Sequence, residues 1–175
     1  MYLRPAVSPF EALLRAITYQ QLSGKAAATI HGRLLDLFPD GLAPESLLAL
    51  PESTLRGAGL SHNKLLAVRD LATKTLDGSV PDFTVMDTLT DAEIVERLTT
   101  VRGIGRWSAE MLLIFTLGRS DVLPVDDLGI RKGFQLAYGM RRLPTAVTLR
   151  RTARAWAPFR SAASWYLWRA LDTSL

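Results

Sequence analysis

The sequence has 175 residues, which is long enough for one packed domain or two small lobes. It contains no cysteine, which excludes disulfides, thiol catalysis, zinc–thiolate sites and iron–sulfur clusters. Although 48% of the residues are hydrophobic, charged residues interrupt the apolar stretches, and none reaches the roughly 20 apolar residues that a membrane helix needs. The first residues do not resemble a secretory signal. We therefore expect a soluble, cytoplasmic protein without a membrane partner. The net charge of +4, much of it on arginines of the second half, fits either a polyanionic partner or a solvated basic face.

Helical patterns fill the first half of the chain. Ser8 and Glu11 form a capping box with Pro9 at the first helical position, and Ser61 stands at the N-cap of a longer helix. Each of two short helices between them begins with a proline, which the first turn of a helix tolerates. The spacing of apolar residues predicts helices over about 9–22, 26–38, 44–50, 51–57 and 62–77.

The second half is helical as well. Thr90 and Glu93 form another capping box, and Gly118 stands at the C-cap of a helix that is apolar on nearly all sides. The predicted helices cover about 91–98, 106–117, 127–138, 144–155 and 158–171. No stretch sustains the period-2 alternation of a strand, so the sequence predicts an all-α domain of eight to ten helices.

A Gly-hydrophobe-Gly bend, Gly103-Ile104-Gly105, joins two of these helices. Glycine at both ends permits a tight turn, so we expect the amides of Gly103, Gly105 and Arg106 to face outward together. Helix N-terminal amides and the positive end of the helix dipole attract phosphate without reading any base sequence. The bend therefore predicts a site for a nucleic-acid phosphate.

Two adjacent carboxylates, Asp126 and Asp127, follow a proline-containing loop where a further helix begins. With the phosphate site upstream, they indicate chemistry on nucleic acid. From the residues alone both are equally well explained as helix caps, because Asp is a favoured N-cap residue.

The chain resembles the helix-hairpin-helix DNA glycosylase superfamily, and within it the DNA-3-methyladenine glycosylase II branch. The motifs that carry the resemblance are Val101–Ala109, Leu123–Ile130, Phe10–Ser23 and Trp156–Ser161. The resemblance implies a single glycosylase domain over residues 1–175, with helical lobes at about 24–118 and at 1–23 plus 119–175, flanking an active-site cleft. It also implies a monomeric, monofunctional enzyme that flips alkylated purines out of double-stranded DNA and hydrolyses their N-glycosidic bond in base excision repair.

The resemblance assigns the catalytic role to Asp127, because the family's aspartate lies three residues before a buried aliphatic residue, here Ile130. An ionised carboxylate near the anomeric carbon stabilises the positive charge that develops on the sugar. Asp126 is expected to border the pocket and to cap the following helix. Family members that also cut the DNA strand have a lysine where this chain has Trp107, so no Schiff base and no lyase activity are expected.

The resemblance also implies residues that bind the base and the DNA. Trp107, Met111 and Phe159 are expected to line the pocket for the flipped base; the alternative is core packing, most of all for Met111. Gln21, with Gln20 beside it, matches the side chain that fills the gap in the base stack, although a glutamine pair at a helix end is usually only solvated.

The hairpin residues expected to bind DNA are Arg102, Gly103, Ile104, Gly105 and Arg106. The carbonyls of Thr99, Val101 and Gly103 are expected to hold Na⁺ or K⁺, and no other cofactor is expected.

Two other functions compete with this interpretation. One is a helix-hairpin-helix module that binds DNA or a lesion without catalysis, against which the intact Asp127 argues. The other is a glycosylase for oxidised, deaminated or mismatched bases, which would usually need a more polar pocket than the three residues above provide.

Overall fold

The structure, a computed structural model, describes residue 3 and residues 6–172. Over these residues the chain forms eleven α-helices and one 3-10 helix and no strand, which confirms the prediction of an all-α fold. None of the helices in this part of the chain is long and apolar enough to cross a membrane.

One short helix, Phe83–Met86, was not predicted, so the described residues form more helices than the eight to ten expected; the other helices differ from the predicted ones mainly at their ends. In chain order the α-helices are α1 (Pro9–Tyr19), α2 (Gly24–Leu35), α3 (Pro44–Ala49), α4 (Glu52–Gly57), α5 (His62–Leu76), α6 (Phe83–Met86), α7 (Asp91–Thr99), α8 (Arg106–Phe115), α9 (Leu128–Ala137), α10 (Ala146–Thr152) and α11 (Arg160–Asp172). A 3-10 helix, Ala153–Trp156, lies between α10 and α11.

The helix ends follow local sequence signals. Ser8 and Ser61 accept hydrogen bonds from the third amide of their helices, as predicted. At the start of α7 the capping box is complete, since Thr90 also donates its N–H to Glu93 over 2.7 Å. Helix α1 ends at Tyr19, three residues earlier than predicted, because Gln20 has an extended ψ of 134° and Gln21 then adopts a left-handed φ of 56°.

The contacts divide the described chain into two units, and residues 6–109 form the first. Helix α5 packs against α1, α3 and α4 in this unit. Its apolar face buries Leu65, Val68 and Leu71 completely, and α1 likewise buries Leu14 and Ile17. Full burial of one such side chain stabilises the fold by about 1.5–3 kcal/mol, so the buried face of α5 contributes strongly to the stability of this unit.

Residue 3 and residues 110–172 form the second unit, in which α9 packs along α11. A Cβ atom at Gly133 of α9 would lie 2.0 Å from the carbonyl oxygen of Leu167, so the two helices approach more closely than any larger residue would allow. Side chains from α9, α10 and α11 and from the loop before α9 form the core here: Val125, Ile130, Phe134, Leu149 and Leu167.

This division differs from the lobes expected from the sequence. Residues 6–23 belong with the first unit, because α1 packs on α2 and α5, and the second boundary lies inside α8, between Ala109 and Glu110, instead of at 118. An apolar stripe shows that a helix is buried, but it does not identify the neighbour that buries it.

Candidate functional site

The hairpin loop, residues 100–105, joins α7 to α8. Val101 and Ile104 are buried and anchor it, while Gly103 and Gly105 are exposed. Gly103 has a left-handed φ of 80°, and a Cβ atom there would lie 3.4 Å from Cβ of Ala67 on α5. The loop therefore presents the backbone of its two glycines to solvent. Ile104, which is expected to contact DNA, is buried, and its N–H donates to the carbonyl of Val101.

Two amides of the loop are available as donors. In the part of the chain that the structure describes, the N–H groups of Gly103 and Gly105 form no hydrogen bond. A Cβ atom at Gly105 would meet no atom within 4 Å, so the approach to this amide is open. Free amides at the start of a helix attract anions, and the arrangement suits one phosphate group.

The two glutamines after α1 have different roles. Gln20 donates its Nε2–H to the carbonyl oxygen of Gly103 over 2.8 Å, which ties the end of α1 to the hairpin loop. Gln21 is exposed, and no hydrogen bond of its side chain occurs among residues 6–172. Gln20 therefore connects α1 to the hairpin loop, whereas the side chain of Gln21 extends into solvent.

Helix α5 supplies two contacts to the loop that sequence reasoning missed. Asp70 accepts the backbone N–H of Arg102 over 2.7 Å, and Lys74 donates to both Asp70 and the carbonyl oxygen of Thr100. Burial by itself would raise the pKa of Asp70, but the hydrogen bonds from Arg102 and Lys74 and the positive charges of both residues lower it below its usual value. The carboxylate is therefore ionised at neutral pH.

The carbonyl set expected to hold Na⁺ or K⁺ does not fit that role. Gly103 already accepts the amide hydrogen of Gln20, and Val101 accepts the N–H of Ile104 over 3.0 Å. The Lys74 ammonium lies on the carbonyl of Thr100, the residue after the expected ligand Thr99, and its positive charge opposes a second cation nearby. No group of three or more His, Asp or Glu residues that could hold a metal occurs among the described residues either.

Asp127 lies at the start of α9, where its backbone is extended and its side chain caps the helix. Its Oδ1 accepts the N–H of Ile130 over 2.7 Å and the indole N–H of Trp168 over 2.9 Å. Gly129 permits the second bond, because a Cβ atom there would lie 2.8 Å from Cδ1 of Trp168. Two donors from different helices therefore fix the orientation of this carboxylate.

Asp126 does not share this environment. It is exposed and forms no hydrogen bond or ion pair in the described chain. The expectation that it caps the next helix was wrong: α9 begins at Leu128, so the residue whose side chain reaches the third amide is Asp127.

Aromatic side chains accompany the site residues. Trp168 stacks on Phe115, with ring centroids 5.8 Å apart, and sequence reasoning missed both residues. Trp107 is 49% exposed and Phe159 is 65% exposed, so core packing does not explain either ring. Met111 is half-buried, which is compatible with a pocket wall as well as with core packing.

A bidentate ion pair fixes the start of α11 next to Phe159. Arg160 Nε and Nη2 each donate to Asp121 over 2.6 Å. The hydrogen bond from the guanidinium lowers the pKa of Asp121, so the pair stays charged at neutral pH. The Arg160–Asp121 ion pair therefore fixes the turn that precedes α11, in which the exposed ring of Phe159 lies.

Comparison with known proteins identifies the family. Residues 14–158 match the family described as HhH-GPD superfamily base excision DNA repair protein. DNA-3-methyladenine glycosylase 1 of Schizosaccharomyces pombe is 39% identical over 163 residues, which are 92% of this chain and 72% of that protein.

Two solved structures are also similar. The 3-methyladenine DNA glycosylase Mag1 of S. pombe, in complex with abasic DNA, has a TM-score of 0.80 and 38% identity over 97% of this chain and 85% of its own. DNA-3-methyladenine glycosidase of Bacillus halodurans has a TM-score of 0.89 and 37% identity over 97% of this chain and 78% of its own. This chain therefore belongs to the HhH-GPD superfamily of base excision DNA repair proteins.

Proposed function

We propose that this protein is a monofunctional DNA glycosylase that hydrolyses the N-glycosidic bond of alkylated purines, such as 3-methyladenine, in double-stranded DNA. The observation that carries the proposal is the carboxylate of Asp127, held at the start of α9 by Ile130 and Trp168. The names of the relatives support the substrate class, because enzymes named for 3-methyladenine match nearly the whole chain.

Asp127 acts on the sugar. As the glycosidic bond breaks, positive charge develops on the deoxyribose, and an oriented carboxylate stabilises that charge more in the transition state than in the ground state. It also orients the water that attacks the anomeric carbon and accepts its proton. An alkylated purine already carries positive charge and leaves readily, so one carboxylate is enough.

The hairpin loop binds the DNA backbone. The amides of Gly103 and Gly105 donate to one phosphate at the N-terminal end of α8, where the helix dipole is positive. Gln21 enters the gap that the flipped nucleotide leaves in the stack, since its side chain is exposed and makes no internal bond. This mode of binding positions the enzyme without reading the base sequence.

An exposed aromatic ring, such as that of Trp107 or that of Phe159, can stack on a flipped base. A cationic purine gains more from an aromatic face than a neutral base does, which favours alkylated over oxidised or deaminated bases. Trp107 carries no amine, so the product is an intact strand with an abasic site.

A panel of duplexes, each with one damaged base, tests the proposal. We expect abasic sites in duplexes with 3-methyladenine or 7-methylguanine, at least tenfold faster than in matched duplexes with 8-oxoguanine or uracil, and no adduct trapped by borohydride. The variant Asp127→Asn is the control for contaminating activity. Tight lesion binding without base release from any duplex would instead identify a non-catalytic binding module.

A further inference from the structure

The C-terminal half of α5 holds the hairpin loop through two charged side chains. Asp70 Oδ2 accepts the N–H of Arg102 over 2.7 Å and a hydrogen of Lys74 Nζ over 2.9 Å. Lys74 Nζ also donates to the carbonyl oxygen of Thr100. One N–H and one carbonyl of the loop, two residues apart, are thus bound to the same ion pair.

The residues bound by this ion pair, Thr100 and Arg102, directly precede the solvent-facing amides of Gly103 and Gly105 in the sequence. Thr100 is the C-cap of α7, where the helix dipole places partial negative charge, so the ammonium there is electrostatically favourable. The N–H of Arg102 belongs to the Val101–Arg102 peptide, so its bond to Asp70 fixes the orientation of that peptide, one residue before Gly103. Both side chains are largely covered, with 30% of Asp70 and 25% of Lys74 exposed, so salt screens this pair less than a fully exposed pair.

The other side of the loop is held as well. Gln20 donates to the carbonyl of Gly103, and Cβ of Ala67 lies under the same residue. Gln20 uses one of the two lone pairs of the Gly103 carbonyl oxygen, and Lys74 brings a positive charge to the carbonyl of Thr100. The loop therefore already contains a donor and a positive charge of the kind that a bound cation would supply.

We propose that Asp70 and Lys74 are positioning residues of the hairpin, and that the Lys74 ammonium replaces a bound monovalent cation, so that phosphate binding needs no small cation from solution. The inference rests on the proposed function, because it concerns how the same hairpin binds DNA. It predicts an effect on DNA affinity and none on the chemical step.

The first test compares Lys74→Met with Arg69→Met. Both remove one positive charge from α5, but Arg69 contacts Glu52 and the carbonyl of Leu50 and has no contact with the loop. For Lys74→Met we expect the dissociation constants for damaged and undamaged duplex, measured by fluorescence anisotropy, to rise about 3- to 10-fold, as for a lost charged hydrogen bond. The rate of base release at saturating enzyme should stay within about twofold, since Asp127 is untouched.

Controls separate positioning from simple loss of charge or stability. Arg69→Met should change the dissociation constant by less than about twofold, because a distant surface charge acts weakly at physiological salt. Lys74→Arg should recover most of the affinity, and Asp70→Asn, which keeps the shape of the side chain, should weaken binding like Lys74→Met. Equal affinities for Lys74→Met, Asp70→Asn and Arg69→Met would overturn the proposal.

The second test asks whether a small cation is needed. DNA affinity of the unmodified protein is measured in NaCl, KCl and choline chloride at equal ionic strength, and we expect the three values to agree within about twofold. Weaker binding in choline chloride alone would show that the hairpin takes a cation from solution, against the proposal. Both tests read DNA binding, so absence of base release would contradict the proposed function and leave their outcome intact.

Discussion

The indole N–H of Trp168 donates to Oδ1 of Asp127 over 2.9 Å, across 41 positions of the chain. The same oxygen accepts the N–H of Ile130, so the carboxylate is oriented by one donor from its own helix and one from α11. In the role proposed for Asp127, a partner such as Trp168 keeps the carboxylate in its productive orientation without touching the reacting atoms.

Trp168→Phe keeps the ring and removes the donor. We expect base release to slow by about 3- to 10-fold, the effect of one lost hydrogen bond on the carboxylate, with little change in DNA affinity. Single-turnover rates at saturating enzyme measure the effect. Trp165→Phe on the same helix is the control, because the ring of Trp165 packs on Tyr166 and no hydrogen bond of its indole occurs in the described chain. Equal rates for the two variants would remove Trp168 from the site.

Gly129→Ala should disturb the same contact from the other side. The added Cβ atom would lie 2.8 Å from Cδ1 of Trp168 and 3.0 Å from Oδ1 of Asp127, so the indole must move away. We expect a loss of about 1–3 kcal/mol in the free energy of unfolding, as for other overpacked sites, together with slower base release. Gly32→Ala in α2 adds a methyl group with nothing within 4 Å and should not destabilise the protein.

Replacing each of the adjacent acids by asparagine separates their roles. Asp127→Asn removes the charge with little change in shape and should slow base release by about 100-fold or more while lesion binding persists. Asp126→Asn should retain nearly full activity and stability, because Asp126 is exposed and forms no bond in the described chain. An inactive Asp126→Asn beside an active Asp127→Asn would move the catalytic role to Asp126.

Gly105→Ala tests the phosphate site without disturbing the fold. No atom lies within 4 Å of the added Cβ, and the residue has no left-handed φ, so the thermal midpoint should not change. The methyl group would occupy the open approach to the amide, so binding of damaged and undamaged duplex should weaken alike. Gly57→Ala, equally open but in α4, serves as the control for DNA affinity. Weaker binding of damaged duplex alone would place Gly105 at the base pocket.

Gln21→Ala should slow excision from duplex DNA more than from single strands, because only a duplex has a base stack for the side chain to fill. Rates on the same lesion in both substrates measure the difference. Gln20→Ala is expected to behave differently and weaken binding to both duplex and single strand, since it releases the carbonyl of Gly103 and loosens the loop. An equal loss of excision on both substrates for Gln21→Ala would contradict the assignment.

Short-range sequence patterns determine much of the secondary structure of this protein. The caps at Ser8, Ser61 and Thr90 and the bend at Gly103 depend on groups within four residues of each other, so the sequence alone determined them. The sequence also indicated a helix start at the Asp126–Asp127 pair, but it did not decide which of the two residues is the cap. The helical class followed from the same patterns, because apolar spacing and capping are properties of single segments.

Only the tertiary structure decided which distant groups complete these motifs. Trp168 reaches Asp127 across 41 positions, Asp70 reaches Arg102 across 32, and Lys74 reaches Thr100 across 26. A tryptophan on an amphipathic helix, or an Asp–Lys pair four residues apart, is also typical of a core position or a solvated face. Their partners are set by how helices pack: Gly129 leaves room for the side chain of Trp168, and Gly133 lets the backbone of α11 approach α9. No pattern local to one segment encodes which distant residue will lie against it.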